Sequence, residues 1–82
     1  MSVEALGAAL ADVGEQLREG YQILRVAQQR LADAGGVLVE LSRNHSDSLL
    51  PPQLMVAHDA ITVVLDQLAA SMAAAERFAA GL

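Results

Sequence analysis

A seven-residue apolar repeat that begins at Val3 and holds to Leu41 constrains this chain more than any other feature. Alternating steps of three and four residues touch Val3, Leu6, Leu10, Val13, Leu17, Gly20, Leu24, Ala27, Leu31, Ala34, Leu38 and Leu41. A stripe of that period runs along one side of an α-helix, and most of a helix's stability in water comes from covering such a stripe. A second stripe runs through Leu54, His58, Ile61, Leu65, Leu68, Met72, Ala75, Ala79 and Leu82, after a polar break centred on Ser46-Asp47-Ser48. The two stripes are each other's natural cover. The expected fold is all-α: two long antiparallel helices forming a hairpin within one domain, residues 1–82, with helices over about 3–43 and 51–80 and a turn over about 44–50.

The ends carry matching signals. Ser2 is placed to cap the first helix and Glu4 to complement its positive end. Asn44 suits a left-handed residue that stops the helix, with Arg43 beside the negative end. Pro51 and Pro52 fit only the first turn of a helix, where their missing N–H groups have no partner to lose. Gly35-Gly36 is the weak point of the first helix, each glycine costing about 1 kcal/mol relative to alanine. The repeat passes through it in register, so continuity is expected.

Folding the stripes together about the linker sets Leu41 against Leu54, Leu38 against His58, Ala34 against Ile61, Leu31 against Leu65, Ala27 against Leu68, Leu24 against Met72 and Gly20 against Ala75. The expected hairpin core is thus Leu17, Leu24, Leu31, Leu38 and Leu41 from the first helix, with Leu54, Ile61, Leu65, Leu68 and Met72 from the second. In that register the first helix outruns the second by about three turns at 1.5 Å per residue, leaving Val3, Leu6 and Leu10 as an overhang. The second helix keeps a further apolar band, Val56, Ala57, Ala60, Val63, Val64 and Phe78. A hairpin covers one stripe of each helix, so Val3, Leu6, Leu10, Val56, Ala60, Val63, Val64 and Phe78 form the candidate interface with another helical protein or a second copy.

Composition narrows the classes. With 82 residues and two aromatic side chains, Tyr21 and Phe78, the chain is near the size where a single core gives only a few kcal/mol. A net charge of -5 argues against tracking nucleic-acid phosphates. The absence of cysteine excludes disulfides and thiolate metal sites. All five basic residues are arginine, a usage typical of GC-rich, actinobacterial-type coding. The stretch 57–80 is apolar but broken by Asp59, Asp66, Glu76 and Arg77, charges that are expensive inside a bilayer. No integral membrane segment and a cytoplasmic location are therefore expected.

Little in the sequence points to chemistry. Asp47-Ser48-Leu49 matches the phosphopantetheine attachment motif of acyl carrier proteins, which makes Ser48 a candidate attachment residue. Against it, prolines follow within one turn and a continuous heptad pattern precedes it, so a polar hairpin turn is the simpler reading. His58 sits on the second stripe beside Asp59, but no ligand pair one helical turn apart accompanies it, so it is read as a register-setting polar residue and no metal or other cofactor is expected. Asp12, Glu19, Asp33 and Glu40 recur along one solvated face. Gly7, Gly14 and Gly35 share one heptad position beside the stripe; they are either incidental or places where a neighbouring helix comes close.

A short, acidic, cysteine-free helical hairpin with a polar turn resembles the Trp-x-Gly, or ESX-type, small proteins linked to type VII secretion. Where that family carries Trp-x-Gly this chain has Ser42-Arg43-Asn44-His45-Ser46-Asp47-Ser48, and it reads to Leu82 without the family's Tyr-x-x-x-Asp/Glu tail. The resemblance implies a homo- or heterodimeric four-helix bundle, pairing with a helical partner such as the leader of a secreted protein or toxin, and export by a route that needs no signal peptide. It transfers no functional residue. The expectation is a non-enzymatic interaction module; the alternatives are an acyl-carrier-like protein acting through Ser48 and a coiled-coil adaptor or antitoxin-like neutraliser.

Overall fold

The computed structural model describes residues 1–82 and consists of two helices, α1 (Val3–Ser42) and α2 (Pro52–Ala80), packed on each other as an antiparallel hairpin of 65 × 15 × 15 Å. At the start of α1 the extended Ser2 accepts a hydrogen bond at its Oγ from the Ala5 N–H, 3.0 Å away, which satisfies one of the orphan donors of the first turn. The helix continues without interruption through Gly35-Gly36.

Its other end closes differently from the expected left-handed stop at Asn44. No residue has positive φ, and Arg43 remains right-handed. The Ser42 hydroxyl takes over the role. It donates to the Leu38 carbonyl at 2.7 Å and accepts the Leu49 N–H at 2.8 Å, so the returning linker is tied against the last turn of α1. Pro51 then enters in extended geometry, and Pro52 occupies the first turn of α2.

That tie changes the register. Gln28 Nε2 donates to Thr62 Oγ1 at 2.7 Å and to the His58 carbonyl at 3.4 Å. A methyl group built on Gly35 would lie 3.7 Å from Leu54 and 3.8 Å from Leu50, and one on Gly7 would lie 3.8 Å from Leu82. Leu31 is therefore level with His58 rather than Leu65, and Leu24 is level with Leu65. The helices are displaced by about one heptad from the register that aligned Leu41 with Leu54. The reason is that linker residues are not wasted in a loop: Leu50 folds back under Gly35 and adds a layer before α2 begins. The displacement also removes most of the overhang, because Gly7 and Leu10 meet the end of α2.

On α1 the expected leucine row forms the seam, but its companion row differs from the one expected. Leu10, Leu17, Leu24, Leu31 and Leu38 are half-buried, and the companion row is Gly7, Gly14, Tyr21, Gln28, Gly35 and Ser42; of the expected companion row Gly20 and Ala27 are half-buried, while Leu6, Val13, Ala34 and Leu41 are exposed. Leu41 stays 56% exposed and does not belong to the hairpin core. A methyl would fit at each of the three glycines of this row, with ordinary contacts at Gly7 and Gly35 and nothing within 4 Å at Gly14. On α2 the expected stripe is the one that packs: Leu54, His58, Ile61, Leu68 and Met72 are half-buried, and Leu65 and Ala75 are the two fully buried residues of the chain.

Two outcomes test this packing. Gly36 has open space where a methyl would go, so Gly36→Ala should stabilise the hairpin by about 1 kcal/mol through helix propensity alone, seen as a higher Tm. At Gly35 the added methyl would make ordinary contacts with Leu54 and Leu50, so Gly35→Ala should stabilise at least as much; a loss of Tm would show that the glycine row is packed more tightly than this. Leu65→Ala should cost about 2 to 5 kcal/mol, as for a large-to-small change in a packed core. In double-mutant cycles Leu65 should couple to Leu24 by more than the few tenths of a kcal/mol typical of separate sites, and to Leu31 by no more than that. The reverse pattern would restore the unshifted register.

Candidate functional site: an uncovered apolar face

The Gln28–Thr62 hydrogen bond fixes how the helices are rotated about their long axes. Residues seven apart share a row on each helix, so the Gln28 row of α1 and the Thr62 row of α2 lie on the same side of the seam. The rows on the other side are Leu6, Val13, Gly20, Ala27, Ala34 and Leu41 from α1, and Ala57, Val64, Ser71 and Phe78 from α2. They form one face. Two grooves agree with this rotation: Leu6, Leu10, Phe78 and Leu82 line one of about 480 Å³ on that face, while Gly35, Val39, Leu54 and Met55 line one of about 230 Å³ on the opposite side.

The apolar face holds no charged side chain in its two inner rows, and the next rows outward add Ile23, Val37, Ala60 and Ala74 with Arg30 as the single charge. Its large side chains face solvent, Phe78 at 65% exposure. The opposite side carries Glu4, Glu15, Arg18 and Arg25 on α1 with Asp59, Asp66 and Glu76 on α2. No ion pair links the helices; the two in the chain are Glu40 with Arg43 at 3.3 Å and His58 with Asp59 at 3.5 Å, neither of them buried.

Of the expected interface residues, Leu6, Val64 and Phe78 lie in the inner rows of this face and Ala60 in the next row, whereas Val56 and Val63 lie on the side of α2 turned away from α1. Val3 is exposed at the start of α1. Leu10 is a correction: it is half-buried against the end of α2 because of the heptad shift. Sequence reasoning missed Val13, Leu41, Ile23 and Val37. Val13 and Leu41 stand in the expected seam stripe, and the apolar pattern carries no signal that separates that row from its neighbour.

The candidate chemical groups remain separate. Ser48 is exposed in the linker, its Oγ accepting the Leu50 N–H at 3.3 Å, and α2 begins four residues later. His58 Nδ1 faces Asp59, and no three His, Asp or Glu side chains converge as metal ligands. Asp12, Glu19, Asp33 and Glu40 are solvated along the back of α1. By length and composition α2 could cross a membrane, with a mean hydropathy of 1.2 over its most apolar 18 residues. No family model, curated protein or solved structure matches the chain.

If this face mediates association, Val64→Asp and Leu41→Asp should each shift the chain towards monomer while helix content by circular dichroism is kept. Val39→Asp, on the opposite side, should leave association unchanged. Equal loss in all three variants would mean that association does not run through the apolar face.

Proposed function

We propose that this chain is a non-enzymatic interaction module whose hairpin pairs, through its single apolar face, with a second hairpin to complete a four-helix bundle. The observation that carries the reading is the mismatch between core and surface: 2 of 82 residues are buried, while a charge-poor apolar face runs the length of the molecule. A core of that size leaves little to offset the entropy of ordering two long helices. Covering the face supplies the missing burial, at about 25 cal/mol per Å² of apolar surface. The hairpin architecture also supports kinship in role with the small type VII secretion-associated hairpins, which would make the partner either a second copy or the helical leader of a secreted protein.

The test is sedimentation of the full chain at micromolar concentration, where a particle of twice the chain mass and a Tm that rises with concentration are expected. A monomer that unfolds cooperatively, with a concentration-independent Tm, would rule out self-pairing. The hydropathy of α2 favours a second reading, in which the same face rests on lipid. Flotation of the chain with lipid vesicles, together with a monomeric state in solution, would support that reading instead.

A further inference from the structure

We draw no further inference here: the strongest candidate, the apolar face formed by the Leu6, Val13 and Leu41 row of α1 and the Val64 and Phe78 row of α2, carries nothing beyond the pairing reading because nothing in the structure shows what covers it.

Discussion

Two helices touching along a line enclose no interior, and this limit governs the molecule. Each helix can shelter one stripe, so the leucines of α1 are half-buried at best and complete burial is confined to Leu65 and Ala75, which lie on α2 opposite the small or leucine positions of α1. The heptad leucines still decide the fold, because an antiparallel hairpin covers both stripes at once. What they leave uncovered then becomes the chain's most distinctive surface. In a larger protein a third helix would sit there.

Placement of the helices depends on small groups rather than on the leucines. A heptad repeat tolerates a slide of seven residues with every leucine still facing a stripe, so the leucine pattern by itself leaves the register degenerate. The Ser42 hydroxyl, held between Leu38 and Leu49, draws the linker back so that Leu50 adds a layer, and Gln28, reaching both Thr62 and the His58 carbonyl, is the one side chain that links the helices by hydrogen bonds. The same link sets rotation, turning the Gln28 row towards Thr62, and a methyl on Gly7 or Gly35 in that row would make only ordinary contacts with Leu82, Leu54 and Leu50.

Rotation in turn divides the surface. Once Gln28 and Thr62 share a side, the alanine- and valine-rich rows of both helices fall on the other side, and the charged residues are left on the opposite side and the back. Neither helix alone is strongly one-sided in this respect. An apolar face therefore arises from how two moderately amphipathic helices are turned towards each other, with the acidic row of α1 left on the back.

The sequence by itself determined the two helices, their antiparallel return, the capping by Ser2 and the α2 stripe from Leu54 to Met72, because these depend on local periodicity, turn chemistry and proline's missing donor. It also marked the outward band of α2 through Val64 and Phe78. Only the tertiary structure decided that α2 packs over Leu10 to Leu38 and the glycine row, that Leu41 is outside the core, that Leu24 rather than Leu31 is level with Leu65, and that Leu10 is covered by its own chain. Those choices separate arrangements one row or one heptad apart, which the apolar pattern of a repeat leaves nearly equal; the hydrogen bonds of Gln28 across the hairpin and of Ser42 at its turn settle them.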